Sequence, residues 1–261
     1  CALCEFVMFV EFIYCKLQNV FSLKNLEIIY EDDDYVLLNK PANLLSIPDR
    51  FKKEIPNLYE MLKRKYGNIF VVHRLDKETS GIICFAKNEE AHRELNIKFE
   101  KHQTEKFYLA LVNGKMEEQK GKIDFPISEN PFKKGTMLVH LKNGKEAITE
   151  YEVAEEFRNF SLVKIKLLTG KTHQIRVHFQ HIGHPLVVDS VYGNRTEFFL
   201  SEIKTKYKNT QTKESPLINR LTLHSFQLGF FHFRKKEWLQ TEAPLAKDME
   251  VVLKQLRKYG K

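Results

Sequence analysis

Beyond residue 24 the apolar positions fall into short blocks, each closed by charge, glycine or proline. LEIIYEDDDYVLLNKP reads as two short strands around an acidic turn at Asp32 to Asp34, stopped by Pro41. NLYEMLKRKYG, residues 57–67, has helical spacing, with Gly67 as its terminator. VVHRLDKETSGIICFAKN, residues 71–88, is apolar, then charged, then apolar again. It predicts strand, tight loop and strand, with Gly81 easing the return into the sheet. NEEAHRELNIKFEKH predicts a helix capped by Asn88, with Glu89 and Glu90 suited to its positive end. EKFYLALVNGK predicts a strong strand that turns at Asn113 and Gly114.

Further strands are expected over 121–127, 136–141, 145–156 and 159–169. TGKTHQIRVHFQHIGHPLVVD changes character to a helix opened near Thr172 and ended by Gly183 and Pro185. Residues 194–219 are polar and lysine-rich, which predicts an exposed excursion. RLTLHSFQLGFFHF returns to the sheet, and APLAKDMEVVLKQLRKYGK closes the chain with an amphipathic helix. The fold class is α+β: one large mixed, mainly antiparallel sheet flanked by helices. No repeat, linker or low-complexity tract divides residues 26–261, so one catalytic-size domain is expected after an N-terminal extension, 1–25.

The extension is apolar but carries Glu5 and Glu11, and it lacks a basic lead and a small-residue cleavage site. It reads as neither a membrane span nor a signal peptide. Four cysteines stand at 1, 4, 15 and 84. Cys1 and Cys4 have CxxC spacing without a second pair, so the chain is expected to be reduced and cytoplasmic, with no disulfide framework. Lysine and arginine outnumber acids by 42 to 34, a net charge of +8 that favours phosphate-bearing partners.

Within 71–88 one carboxylate, Asp76, stands between Arg74 and Lys77 at a loop, where function tends to live. The plainer alternative is a turn capped by Asp76, Thr79 or Ser80. The segment 170–193 carries His173, His178, His181, His184 and Arg176. His178 and His181 share a helical face, yet HExxH is absent and no cysteine lies near, so no metal site is expected. Arg176, in a run turning apolar, demands a carboxylate. That carboxylate is either a structural acid on the sheet or a catalytic aspartate that the arginine grips through both nitrogens and aims. Tyr108 lies in a strand with Phe107 and Leu109 on the opposite face, and serves as core edge or as a platform for an unpaired base. Lys40 reads as a solvated strand end, and lysines 204, 206, 208 and 213 as solubilising charge.

Taken in order, these segments resemble the RluA-type family of pseudouridine synthases over about residues 26 to 256. EDDDYVLLNKP resembles the family's opening strands, HRLDKETSGIICFAKN its catalytic motif and EKFYLALVNG its tyrosine strand. GKTHQIRVHFQHIGHPL resembles its basic motif and RLTLHSFQL its last strand motif. The resemblance implies that Asp76 is the catalytic aspartate, that Tyr108 is the active-site tyrosine, and that Arg176 is the basic partner of the aspartate. It makes Leu223 the apolar wall of a uracil pocket, Arg74 the residue that helps displace the target base, and His73, Lys171 and His173 further substrate contacts. Lys171 stands where arginine is frequent in the family and Val188 where glycine is frequent, the latter touching a turn.

The implied partner is a structured ribosomal or transfer RNA stem-loop, its target uridine flipped out of the stack. No cofactor and no membrane association are expected, and the chain is expected to act as a monomer. Residues 1–25 are too few for the small RNA-binding domain that often precedes the catalytic one, so target choice is expected to rest with the catalytic domain. Two other classes make different demands. A non-catalytic RNA-binding protein would be expected to lose the aspartate or its cation, and a glycoside hydrolase needs a second carboxylate that the motifs lack.

Overall fold

The computed structural model describes residues 26–204, 207 and 214–261. Expectations for the extension, including Cys1, Cys4 and Cys15, and for lysines 206, 208 and 213 lie outside the described residues.

The acidic turn after β1 (Glu27–Glu31) is closed by Asp32, whose Oδ1 accepts the amides of Asp34 and Tyr35 at 2.9 and 2.8 Å. The chain returns antiparallel as β2 (Tyr35–Lys40). α1 (Leu58–Tyr66) starts at Asn57, whose side chain accepts the Glu60 amide, and stops at Gly67 in a positive-φ conformation. β3 is only Phe70–Val71, shorter than the sequence implies, because the chain leaves the sheet to form the loop that carries Asp76. β4 (Ser80–Ala86) comes next, then α2 (Glu89–Glu100), capped by Asn88 as expected.

β5 (Thr104–Asn113), β9 (Ile148–Glu156) and β10 (Phe160–Leu167) form a long antiparallel meander, edged by β6 (Lys120–Asp124). The strand expected over 121–127 breaks at Phe125 and Pro126, since proline has no amide for the ladder. Past this break the chain builds a separate two-stranded arm, β7 (Ile127–Glu129) and β8 (Met137–Val139). α3 (Gln174–His181), β11 (Leu223–His232), β12 (Glu237–Glu242) and α4 (Lys247–Tyr259) complete the chain. The sheet order is β1-β2-β4-β11-β5-β10-β9-β6, with β3 on β4 and β12 on β11. The β4–β11 pairing is parallel, which makes this mainly antiparallel sheet a mixed one.

β4 is buried on both faces. Ile83 and Phe85 join the cluster beneath α1 and α3, whereas Ile82, Cys84 and Ala86 join the one beneath α2. α4 seats Met249, Val252, Leu253 and Leu256 on a third cluster built around Leu111 and Leu162. Truncating a fully buried leucine such as Leu38 is worth about 2–5 kcal/mol in such a core. Within the 194–219 excursion Phe198, Ile203 and Ile218 are buried in this third cluster, and its exposed positions among the described residues are polar. Val188 is likewise buried there, its amide donating to Thr222, so it packs as core rather than marking an open turn.

Candidate active site

The chain around Asp76 is pinned on both sides. Leu75 donates its amide to Ser46 Oγ at 3.1 Å and accepts the Ser46 hydroxyl proton at 2.8 Å. Lys77 offers its carbonyl to Lys40, and Thr79 donates its amide to the carbonyl of Asp76. Lys40 is fully buried, contrary to the expectation of a solvated strand end. Its Nζ donates to the carbonyls of Pro41, Leu44 and Lys77 at 3.0, 2.8 and 3.1 Å. Burial pushes its pKa down to about 7. Three carbonyls aimed at one nitrogen nevertheless require the three hydrogens of the ammonium, the form that nearby Asp76 also favours.

From this rigid loop the Asp76 carboxylate enters a small cavity of about 100 Å³, its side chain 33% exposed. Tyr108 from β5, Leu223 from β11 and Arg176 from α3 line the same cavity, with Arg74, Lys171 and His173 at its rim. The strand registers explain the meeting. β11 lies against β5 with Leu223 opposite Ala110 and Ser225 opposite Tyr108, and its parallel contact with β4 sits beside the loop. Gly81 is required there rather than merely convenient: its φ is +111°, and a Cβ would lie 2.1 Å from the Ser225 carbonyl oxygen.

Arg176 is almost fully buried and holds a carboxylate fork, but the fork closes on Asp189. Nε meets Asp189 Oδ2 at 2.7 Å and Nη2 meets Oδ1 at 2.8 Å, while Nη1 stands 3.8 Å from Asp76 Oδ2. The expected grip of both nitrogens on the catalytic aspartate is therefore replaced by a bridge between two aspartates. Burial works against both charges of the inner pair, yet mutual hydrogen bonding raises the pKa of Arg176 and lowers that of Asp189. Asp189 and Tyr192 were not anticipated from the sequence. The available signal was the buried arginine itself, which must have an acid partner, and the carboxylate of DSVYG stands a short span downstream.

The immediate sequence neighbours do not box Asp76: Arg74 and Lys77 are exposed, and neither pairs with it among the described ion pairs. Tyr108 is buried, and burial pushes its phenol up to about 12, with the Asp76 charge acting in the same direction and Ser225 opposing. Lys106, near Lys171, is drawn down to about 8 by burial and by that like charge.

His73, expected as a substrate contact, is not among the residues that line the cavity. Its Nε2 accepts the Cys84 amide at 3.0 Å, extending the ladder where β3 has ended, and its ring stacks on Phe99. Burial holds its pKa down to about 3. His178 bonds Thr149 and the Phe125 carbonyl, His181 packs edge-on to Phe125, and His184 meets the Asn113 carbonyl. No group of metal-binding side chains forms among the described residues. Two larger recesses, of about 540 and 550 Å³, lie away from the aspartate–arginine bridge, the first over rows of lysine and glutamate on the sheet and the second beside Trp238.

Residues 34–181 match the RNA pseudouridylate synthase family. The chain is 35% identical to the dual-specificity RNA pseudouridine synthase RluA of Pasteurella multocida, over 85% of this chain and 94% of that one. It is 34% identical to the ribosomal large subunit pseudouridine synthase D of Haemophilus ducreyi, over 89% and 71% respectively. Among solved structures, human RNA pseudouridylate synthase domain containing 1 superposes with a TM-score of 0.64 at 26% identity, covering 91% of this chain and 96% of that one. The chain thus belongs to the RNA pseudouridylate synthases. Within that family it is of the RluA type, an isomerase that converts uridine in RNA to pseudouridine. No described helix is long and apolar enough to cross a membrane.

Proposed function

We propose that Asp76 is the catalytic carboxylate of this synthase and that its target is a uridine in a ribosomal or transfer RNA stem-loop. One observation carries the assignment: Asp76 is the partly exposed carboxylate of a cavity walled by Tyr108 and Leu223, with Arg176 at 3.8 Å. The reaction breaks the bond between ribose C1′ and uracil N1 and forms one between C1′ and C5. C5 loses a proton and N1 gains one, so the product is an isomer and no oxidant, reductant or cofactor enters the balance. Asp76 engages the sugar–base junction. Leu223 and the Tyr108 ring keep the freed uracil oriented for recapture, and Tyr108 takes part in removing the C5 proton. Arg176 keeps a cation beside the aspartate.

Arg74 at the rim helps displace the base, a step that costs a few kcal/mol of unstacking. Lys171 meets the phosphates, whose neutralisation offsets part of that cost. The RNA class is supported by the names of the two bacterial relatives, one dual-specific and one of the large ribosomal subunit. We read residues 26–261 as one catalytic unit that acts as a monomer in the cytoplasm.

The test is tritium release from ribosomal and transfer RNA labelled at uridine C5, with wild type and Asp76→Asn side by side. Release by wild type alone is expected, and it identifies the RNA class. Comparable release by Asp76→Asn would remove Asp76 from the chemistry.

A further inference from the structure

His173 lies 3.8 Å from Asp76 through Nε2, and the atom it faces is Oδ2, the same oxygen that Arg176 Nη1 faces. Two groups from the start of α3 therefore converge on one carboxylate oxygen. The other ring nitrogen is also engaged: His173 Nδ1 is 2.8 Å from the Tyr192 hydroxyl. That hydroxyl accepts the Met137 amide at 2.8 Å, so one lone pair is filled from the β7–β8 arm. Its single proton has His173 Nδ1 as the one acceptor within hydrogen-bond reach among the described residues. A ring that accepts at Nδ1 carries its hydrogen on Nε2, facing Asp76.

The setting is built to hold this arrangement. Tyr192 is buried among Val177, Ile127 and Ala147, and its ring lies under the Arg176 guanidinium at 4.9 Å. Asp189, while forked to Arg176, also accepts the amides of Val191 and Tyr192 at 2.9 and 3.0 Å, which fixes the turn. His173 itself sits at φ +55°, a left-handed position that few residues other than glycine, asparagine, aspartate and histidine adopt. Burial, with Arg176 and Arg74 adding to it and Asp76 opposing, lowers the His173 pKa, so the neutral ring and its choice of tautomer are what matter near neutrality.

We propose that Tyr192 and His173 are positioning residues: with Arg176 they hold Oδ2 of Asp76 and so present Oδ1 to the sugar–base junction, tying the carboxylate to the β7–β8 arm. The 3.8 Å gap is too long for a hydrogen bond and closes when RNA fills the cavity. This rests on the catalytic reading of Asp76. It differs from a substrate contact for His173, because the imidazole then acts through the aspartate and not on the RNA.

Tyr192→Phe keeps the ring beneath Arg176 and deletes only the relay hydroxyl. It is expected to lower kcat about tenfold, the worth of one such hydrogen bond, with KM for RNA within about twofold. His173→Gln carries an amide donor near the Nε2 position and has no tautomer to set. Adding Tyr192→Phe to it is therefore expected to cost nothing further. If Tyr192→Phe slows the glutamine variant as much as it slows wild type, or raises KM alone, Tyr192 acts by packing and the proposal fails. Imidazole 15N NMR of the full chain needs no substrate. Nε2–H in wild type and mixed tautomers in Tyr192→Phe are expected, and Nδ1–H in wild type overturns the relay. Should wild type turn over no RNA, the catalytic reading has failed, and the NMR result still decides whether the relay exists.

Discussion

Asp189 takes both fork nitrogens of Arg176, at 2.7 and 2.8 Å, and leaves the third guanidinium nitrogen 3.8 Å from Asp76. The arginine is thus fixed from behind by a buried acid and serves the cavity with what remains. Lysine has one nitrogen and cannot do both. Arg176→Lys is expected to lose activity by about a hundredfold or more. Arg176→Met, which strands Asp189 as a buried charge, is expected to cost about 3–5 kcal/mol in urea unfolding. A methionine variant as stable as wild type would show that Asp189 is not charged in the fold.

Tyr108 presents a neutral phenol at neutral pH, its ionisation pushed up to about 12. Tyr108→Phe keeps the stacking face. It is expected to bind RNA within about twofold of wild type and to slow tritium release by about a hundredfold, the usual scale of a lost proton-transfer group. Weaker binding with unchanged turnover would reduce the tyrosine to a platform.

Gly81 lies where β4 meets β11, at φ +111° and with no room for a Cβ against Ser225. Gly81→Ala is expected to destabilise the fold by more than about 3 kcal/mol, read as a lowered urea midpoint or loss of soluble protein. Normal stability would mean that the two strands can part at this point without harm.

His224 is fully buried, its Nδ1 bonded to Ser80 and its Nε2 facing the Ala243 carbonyl, and burial holds its pKa down to about 4 against 6.5 when free. Above pH 6.5 both folded and unfolded chains leave this ring neutral. As the pH falls toward 4 the unfolded chain takes up a proton that the native one refuses, so stability drops, by up to about 3 kcal/mol from this residue. Urea unfolding of wild type and His224→Gln across pH 7 to 4.5 is expected to show the flatter profile in the variant. Parallel profiles would place the acid sensitivity elsewhere.

RNA affinity is expected to fall at least about tenfold between 50 and 200 mM salt, with Arg74→Ala and Lys171→Ala each reducing the log–log slope by about one. A flat dependence would argue against phosphate contacts at the rim.

Much of this was legible in the chain because strong local rules act there. Asn88 caps its helix through its side chain, Gly67 ends one by taking a positive φ, and the alternation in EKFYLALVN separates Tyr108 from Leu109. Seven of the eight expected site residues, Asp76, Tyr108, Arg176, Leu223, Arg74, Lys171 and His173, do line one cavity. What the chain did not disclose depends on partners distant in sequence. Lys40 reads as a surface cation until three carbonyls converge on it, and His73 reads as part of its motif until the short β3 leaves the Cys84 amide seeking an acceptor. The identity of Arg176's fork partner was a choice among acids, and β12 was hidden in a weakly alternating, mostly exposed stretch.

One feature of the sheet sets the order in which the molecule can come into being. β4 and β5 are consecutive strands separated only by a helix, yet they are not neighbours: β11 stands between them. A nascent chain that has completed β5 has the aspartate loop and the tyrosine but no central strand to bring them together. At ribosomal rates the missing strand, ending at His232, emerges on the order of ten seconds later. Until then two strand edges stay unpaired and open to wrong partners. Catalytic competence therefore arrives only once β11 has emerged, and chains cut short before β11 are expected to aggregate rather than to persist as partial enzymes.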